Sequence, residues 1–210
     1  MKYFNELPFL TNTDSGGNTY ILKNILIRTK LITQLSKNPL LYYKYDVQEG
    51  DTPELIAHKY YGDQYRYWML FMANEIMDPQ AEWPLTSKQF ELFLNDKYGV
   101  VAEETNQTPL SYTTSTIHHY EKTITTLDSI SRTTAIKTVE IDLDTYNSIM
   151  AKTTTSTFND GTSVTLTVDK KAVSIYDYEN QLNEAKRHIN IIKSNYATAM
   201  ETQYQKLVGS

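Results

Sequence analysis

The sequence predicts an α+β protein, and three observations carry the prediction. Residues 43–63 combine a short strand, a glycine turn and a capped helix. Residues 105–168 are rich in Thr and Ser and contain short β-branched runs, which are typical of strands. Residues 174–208 repeat apolar side chains in steps of three and four, which indicates helix.

Residues 1–41 are predicted to form an arm followed by an amphipathic helix. Apolar side chains recur between Tyr20 and Leu35, and charged residues interrupt them, so this segment cannot span a bilayer. Residues 1–17 lack the basic start, apolar stretch and cleavage site of a signal peptide, and we expect no export by this route. Two alternatives remain open for the helix: it packs on the core of the next segment, or it is exposed and binds a partner.

The strand is predicted from alternation. Tyr43, Tyr45 and Val47 lie two apart and would share one apolar strand face. Gly50 follows them, and it can take a positive φ and reverse the chain at little cost. A helix should therefore begin directly after this turn.

Three helices are predicted after the turn. Asp51 or Thr52 can cap the first helix, Pro53 suits its first position, and Gly62 is well placed to end it. The second helix, over 65–76, carries a wide apolar stripe. The third begins at a capping-box pattern and runs to a stop at glycine; the residues in question are Thr86, Gln89, Tyr98 and Gly99.

The order of these elements resembles the LysM domain, a compact β-α-α-β module. The resemblance rests on the strand, the Gly50-Asp51-Thr52 turn, the helix ending in Tyr60-Tyr61-Gly62-Asp63, the second helix with its Trp, and residues 74–79. LysM domains bind N-acetylglucosamine polymers such as peptidoglycan or chitin through two loops. The resemblance implies that the loops here are formed by Gly50, Asp51, Thr52, Pro53 and by Asn74, Glu75, Ile76, Met77, Asp78, Pro79.

The chain departs from the LysM pattern where a glycan-binding module closes with a Pro-Gly turn and a second strand. No Pro-Gly pair follows Pro79, and the third predicted helix takes that place. We therefore expect a LysM-like module with an added helix over residues 42–99, and its reuse for protein contact becomes an alternative to glycan binding.

A small antiparallel β-region is predicted over residues 100–173. The polar segment 100–111, which contains a helix-breaking proline, is its expected boundary. Strand-forming runs on either side of Asn159-Asp160-Gly161 predict a hairpin over 153–168. Two strands need a third strand, a helix or another protein to cover their apolar face. The topology of the region is otherwise open.

One long helix is predicted over residues 174–210. Its apolar spacing is kept over about three heptads. The helix either lies across the chain's own β-region or docks into a neighbouring subunit. The candidate partner-binding face consists of Tyr178, Leu182, Ala185, Ile189, Ile192 and Tyr196.

The flanking segments resemble a more particular family, the LysM-containing baseplate wedge subunits of T-even-type contractile-tailed bacteriophages. The residues that carry this resemblance are Tyr3-Phe4, 24–28, 41–53, Trp83-Pro84-Leu85, Gln89-Phe90, Lys97-Tyr98-Gly99 and 174–179. The resemblance implies a non-enzymatic protein of the virion tail baseplate, assembled in the host cytoplasm. It would join neighbouring wedges around the central hub and contact other wedge subunits.

Composition argues against several other classes. A net charge of −5 disfavours binding to a nucleic-acid backbone, which needs clustered Lys and Arg. The chain has no Cys, which excludes disulfides and thiolate metal sites. Adjacent His118 and His119 should point to opposite strand faces and so could not share a metal. Asp142 and Asp144 would share one strand face as solvated surface residues.

No catalytic residue, cofactor or metal site is therefore predicted. Two functions from different classes remain open. The first is an assembly protein held by other subunits, and the second is a peptidoglycan- or chitin-binding module of a cell-wall-associated protein. The seventeen tyrosines fit the first function, because tyrosine combines apolar area with a hydrogen-bonding tip that suits wet protein interfaces.

Overall fold

The computed structural model describes residues 3–27 and 38–208 and has a mixed α+β fold, which confirms the predicted fold class. The chain divides into two compact units. The first, called the terminal unit here, joins Met1–Thr86 to Asn183–Ser210, and the second, the central unit, is Ser87–Leu182. This division differs from the four consecutive segments that the sequence predicts.

The described residues contain eight strands and eight α-helices. In chain order they are β1 (Phe9–Thr13), β2 (Thr19–Lys23), β3 (Tyr42–Asp46), α1 (Pro53–Tyr61), α2 (Tyr67–Ala73), α3 (Pro79–Glu82), α4 (Ser87–Glu104), α5 (Pro109–Ser115), β4 (Ile117–Asp128), β5 (Thr134–Ile141), α6 (Leu143–Ser148), β6 (Lys152–Thr157), β7 (Ser163–Ser174), α7 (Ile175–Ala185), β8 (His188–Ile192) and α8 (Ser194–Val208). Short 3₁₀ helices cover Tyr3–Asn5, Pro39–Leu41 and Gln64–Arg66.

The predicted strand, turn and first helix are confirmed. Gly50 has φ +84° in the turn after β3. The Thr52 hydroxyl accepts a hydrogen bond from the Leu55 amide at 3.3 Å, and Pro53 is the first residue of α1. Gly62 ends α1 in the left-handed conformation with φ +69°. Local signals were sufficient here because each residue acts within a few positions of itself.

The single long helix predicted over 174–210 is wrong. The described part of this segment is helix, strand, helix: α7, β8 and α8. Strand β8 pairs antiparallel with β3, from Tyr42 opposite Ile192 to Asp46 opposite His188. The pattern of threes and fours included Ile189 and Ile192 but left out Ile191, which is fully buried. Pairing with a distant strand therefore overrides a helical spacing that is only local.

The core of the terminal unit lies between the β3–β8 pair and helices α1, α2 and α8. Tyr204 on α8 stacks on Tyr3 with ring centroids 4.8 Å apart and lies 5.1 Å from the Trp68 ring. Arg66 donates two hydrogen bonds to the Glu201 carboxylate, at 3.0 and 2.9 Å. The last helix is thus part of this core, which is why the unit needs both ends of the chain.

The helix predicted from Tyr20 is wrong where it is described. Residues Thr19–Lys23 form β2, which pairs antiparallel with β1. Asp14 makes the hairpin turn, because its carboxylate accepts hydrogen bonds from the Gly16 and Asn18 amides, each at 2.9 Å. Residues 28–37 of the predicted helix lie outside the described residues.

Helix α4 of the central unit runs past the predicted stop at Gly99 and ends at Glu104. The stop is wrong because Ala102, one turn further on, is fully buried and favours continued helix. The expected polar boundary is a short connection between two helices. Thr108 caps α5 by accepting a hydrogen bond from the Ser111 amide at 3.2 Å.

Four antiparallel strands form the sheet of the central unit, in the order β5-β4-β7-β6. The predicted hairpin is confirmed as β6 and β7, with Thr157 opposite Ser163. Gly161 takes φ +82° in its turn. The third strand that the hairpin requires is β4, which pairs with β7 along almost its whole length.

Candidate functional site

The first predicted loop is held together by its own polar side chains. The Asp51 carboxylate accepts hydrogen bonds from the Tyr45 hydroxyl at 2.6 Å and from the Gln48 amide at 3.0 Å. The hydrogen bond to Asp51 raises the pKa of Tyr45 to about 12. With the Thr52 cap, both polar side chains of this loop stabilise the turn itself.

The second predicted loop is joined to β8 by Asn74. Its side-chain amide donates to the carbonyls of Leu70 and Asn190, at 2.8 and 2.9 Å, and its side-chain oxygen accepts from the Asn190 amide at 2.7 Å. Sequence reasoning placed Asn74 in a ligand loop and missed this role. Its partner lies 116 positions away in the chain, in a strand that was predicted as helix.

The rest of the second loop also bonds to its neighbours. Glu75 has φ +56°, and the Ile76 amide then donates to the Phe71 carbonyl at 2.9 Å, which ends the preceding helix. The Glu82 carboxylate accepts from the Met77 amide at 2.8 Å. The Asp78 carboxylate accepts from the Gln80 amide at 3.0 Å and caps α3.

Trp83, which follows the second loop and α3, contacts the first loop and α2. Its indole N–H donates to the Asp51 carbonyl at 3.2 Å, and its ring lies 6.3 Å from the Phe71 ring in an edge-on arrangement. The segment after the second loop is thereby fixed to the first loop. This contact was not predicted, although a Trp directly before a Pro is a visible signal of a fixed chain path.

An apolar groove of about 320 Å³ lies beside the second loop, within the terminal unit. Several of its side chains are more than half exposed, including Phe4, Ile25 and Met77. Exposed apolar side chains that are gathered in one place are typical of sites that contact other proteins. The groove is lined by Tyr3, Phe4, Ile25, Ile27, Tyr67, Trp68, Phe71, Met72, Ile76, Met77 and Pro79.

The predicted partner-binding face does not exist as one helix face. Ile189 and Ile192 lie on β8 and are buried in the terminal unit, with 4% and 3% of their surface exposed. Tyr196 lies on α8 and is partly exposed. The other three residues lie on α7: Tyr178, Leu182 and Ala185.

His118 and His119 do not point to opposite faces, so that prediction is wrong. Their Nδ1 atoms lie 2.8 Å apart, because the pairing of β4 with β7 shifts register between Ile117 and His119. His118 also stacks on the Tyr178 ring at 3.9 Å, and Glu121 contacts the Nε2 atom of His119 at 3.1 Å. Over 3–27 and 38–208, no group of three or more His, Asp or Glu is arranged to hold a metal.

The predicted pair of Asp142 and Asp144 does not lie on a strand. Asp142 caps α6 by accepting from the Thr145 amide at 2.7 Å, and Asp144 lies in the first turn of that helix. The hydrogen bond from the Thr145 amide lowers the pKa of Asp142. The two residues form the start of a helix. An Asp followed by a helix-compatible run predicts such a start as well as it predicts a strand.

A buried carboxylate in the central unit was missed entirely. Glu179 on α7 is 5% exposed, and its Oε1 atom accepts from the Lys97 ammonium at 2.7 Å and from the Tyr98 hydroxyl at 2.6 Å. Burial raises the pKa of Glu179, but these two hydrogen bonds outweigh it, so the pKa lies below its ordinary value. The arrangement fixes α7 to α4 and offers no free acid or base.

These features describe an α+β protein whose loop side chains are used for internal bonds and whose exposed apolar groups are typical of contact with other proteins. Residues 7–105, a little under half of the chain, match the family of base plate wedge protein 53. The family that these residues resemble is described as a base plate wedge protein of phages. No curated protein matches the chain. Among the helices that the structure describes, each is too short or too polar to cross a membrane.

Proposed function

We propose that this chain is a structural protein of a phage tail baseplate that joins neighbouring wedges during assembly through contacts with other proteins. The observation that carries the proposal is the match of residues 7–105 to base plate wedge protein 53. Its partners are other wedge subunits, the adjacent wedge and central hub proteins, and assembly takes place in the host cytoplasm before the tail is complete.

The distribution of exposed apolar side chains supports this function. In the terminal unit, Ile25, which lines the groove beside the second loop, is 66% exposed, and Ile21 and Leu26, close to it in the sequence, are 72% and 85% exposed. In a soluble chain such neighbours favour a surface that another protein covers. We propose that the second loop, Asn74–Pro79, and the exposed residues Leu182 and Tyr196 belong to such contact surfaces.

The arrangement β3-α1-α2-β8 supports the LysM likeness, with a closing strand supplied from the far end of the chain. The same likeness favours the alternative function, which is binding of a peptidoglycan or chitin polymer. The loops argue against that alternative, because Asp51, Thr52, Asn74 and Asp78 already bond within the chain. Sugar hydroxyls would have to displace those internal bonds. A preformed ligand site instead presents polar groups that are already available to the ligand.

Reconstitution of baseplates tests the proposed function. Purified wedges that lack this chain are mixed with or without it, and negative-stain electron microscopy counts six-fold assemblies. We expect single wedges without the chain and joined wedges with it. Six-fold assemblies that form equally well in its absence would overturn the proposal.

A retention assay on chitin and on purified cell walls tests the alternative. We expect the full chain to elute with a non-binding control protein. Retention that an N-acetylglucosamine oligomer competes away, and that the substitution Asp51→Ala abolishes in a folded variant, would favour glycan binding instead.

A further inference from the structure

The sheet of the central unit leaves its apolar side chains exposed or only partly buried. No residue between 114 and 172, all of which the structure describes, is buried. The sheet nevertheless carries large apolar residues on its two central strands and on β5. An antiparallel sheet of this size is expected to cover one face with another layer.

The strand pairing sorts the side chains of this sheet into two different faces. Residues directly opposite each other point to the same side of a sheet. Ile124 is opposite Val168, Thr126 is opposite Leu166, and Lys122 is opposite Val139. These residues, with Val164, Ala135 and Ile141, form what we call the apolar face.

The opposite side, called the threonine face, carries Leu127 and Ile136 but is otherwise mainly polar, and several of its hydroxyls pair with each other across the strands. The Oγ1 atoms of Thr155 and Thr165 lie 3.1 Å apart, and those of Thr153 and Thr167 lie 3.2 Å apart. Since these cross-strand pairs bond to each other, their hydroxyls need no partner from another layer. The apolar face, with most of the large apolar side chains of the sheet, is therefore the side that requires a covering layer.

Charge indicates what covers the apolar face. The register places four lysines on it, Lys122, Lys137, Lys152 and Lys170. Among its strand residues this face carries one acidic side chain, Asp128, whose carboxylate already accepts from the Ile130 amide at 2.9 Å. No carboxylate of a described residue lies within 4.0 Å of Lys122, Lys137 or Lys152.

This basic face stands out in a chain whose net charge is −5. A second copy of the chain would bring the same four lysines against one another, which like-charge repulsion opposes. A nucleic acid would meet apolar side chains between the lysines rather than a continuous basic track. A protein surface that carries apolar residues and carboxylates complements both the apolar side chains and the lysines of this face.

We propose that the apolar face is a docking surface for another baseplate subunit, one whose contacting surface has an apolar centre with Asp and Glu side chains around it. This inference rests on the proposed function and adds to it a face and the chemistry of the partner. Helix α6 covers the Tyr120 end of the face, with the Tyr146 ring 4.6 Å from that of Tyr120, so the partner occupies the remainder.

Carbodiimide cross-linking of reconstituted baseplates that contain the full chain tests the proposal. The reagent joins an amine to a carboxylate only where the two are in contact, and mass spectrometry identifies the joined peptides. We expect Lys122, Lys137 or Lys152 to be joined to Asp or Glu of another subunit. Lys171, which lies on the threonine face opposite Glu121, is the internal control and should gain no such link.

Two results would overturn the proposal. The first is a link from these lysines to a second copy of the chain. The second is equal acetylation of the three lysines in the free chain and in the assembled baseplate, which would mean that nothing covers the face.

Matched substitutions give a second readout. Leu166→Asp places a carboxylate on the apolar face, and Thr165→Asp places the same group on the threonine face of the same strand. We expect Leu166→Asp to lower incorporation of the chain at least about tenfold and Thr165→Asp to change it less than about twofold. Equal effects of the two variants would contradict a face-specific contact. Circular dichroism confirms that each variant is folded.

The tests separate this proposal from the proposed function. If wedges join without the chain, the proposed function fails whatever the lysines do. If wedges require the chain but its three lysines react as they do in the free protein, the docking surface fails and the proposed function stands.

Discussion

Many large apolar side chains are buried in the terminal unit, whereas in the sheet of the central unit they remain in contact with water. Leu70 on α2 is fully buried, whereas Leu166 on β7 is 40% exposed. The terminal unit completes its core with strands and helices from both ends of the chain. The sheet has a well-paired backbone and no buried side chain between residues 120 and 172. The first is stabilised by its own contacts, and the apolar side chains of the second remain in contact with water.

The largest expected effect compares one substitution in the two regions. Leu70→Ala should lower the free energy of unfolding by about 2–5 kcal/mol, because it leaves a cavity in a closed core. Leu166→Ala should change it by less than about 0.5 kcal/mol, because the side chain is already in contact with water. Urea unfolding followed by circular dichroism measures both. Equal losses would mean that the sheet is covered within the chain itself.

The next effect concerns the bonds that close the terminal unit. Asn74→Ala removes both hydrogen bonds to the Asn190 backbone and should cost about 1–3 kcal/mol, because those backbone groups lose their partner. Asn190→Ala is the matched control, since that residue contributes only main-chain atoms to the contact. Thermal unfolding of the two variants checks the difference. A control as unstable as Asn74→Ala would contradict the role given to the Asn74 side chain.

A smaller effect depends on pH and belongs to the central unit. The pKa of Glu179 is lowered in the folded chain, so its carboxylate stabilises the fold fully above the unfolded pKa of about 4.3. That contribution is lost as the pH falls through the lowered folded pKa. Glu179→Gln should therefore be less stable than the parent by about 1 kcal/mol at neutral pH, and the gap should narrow in acid.

The control for this pH dependence is Glu91→Gln, an exposed residue of α4. Chemical unfolding at a series of pH values follows both variants. A gap between Glu179→Gln and the parent that stays constant down to the most acidic point would show that the Glu179 charge does not act through its hydrogen bonds to Lys97 and Tyr98.

The smallest effects distinguish two glycines, one in each unit. Gly62→Ala should destabilise the chain by about 1 kcal/mol, because φ is +69° there. Gly99→Ala should stabilise it by about 0.5–1 kcal/mol, because Gly99 lies inside α4 with no atom within 4 Å of an added Cβ. Thermal melts measure both. A loss of stability in Gly99→Ala would contradict a continuous α4.

The sequence predicts those parts of the fold that depend on near neighbours. The Gly50 turn, the Thr52 cap, the Gly62 stop and the β6–β7 hairpin are examples, because each is specified by residues within a few positions. The binding role of the two loops stays a prediction, and the internal hydrogen bonds of their side chains were not predicted.

The remaining parts depend on contacts that cross most of the chain. The β3–β8 pairing, the Asn74–Asn190 bonds and the Glu179 cluster join residues between 81 and 150 positions apart. No local pattern specifies such a partner, and β8 carries isoleucines that fit a helical spacing as well as a strand. The histidine pair was missed for another reason, since a register shift in β4 reorients side chains that simple alternation separates.

Hydrogen–deuterium exchange of the full chain, free and in reconstituted baseplates, tests the contrast between the two regions most directly. The amides of α2 and β8 should exchange slowly in both states, because the core of the terminal unit is complete in the chain alone. The amides of β4 and β7 should exchange faster in the free chain and at least about tenfold more slowly after assembly. Exchange from the sheet that is unchanged by assembly would contradict the account.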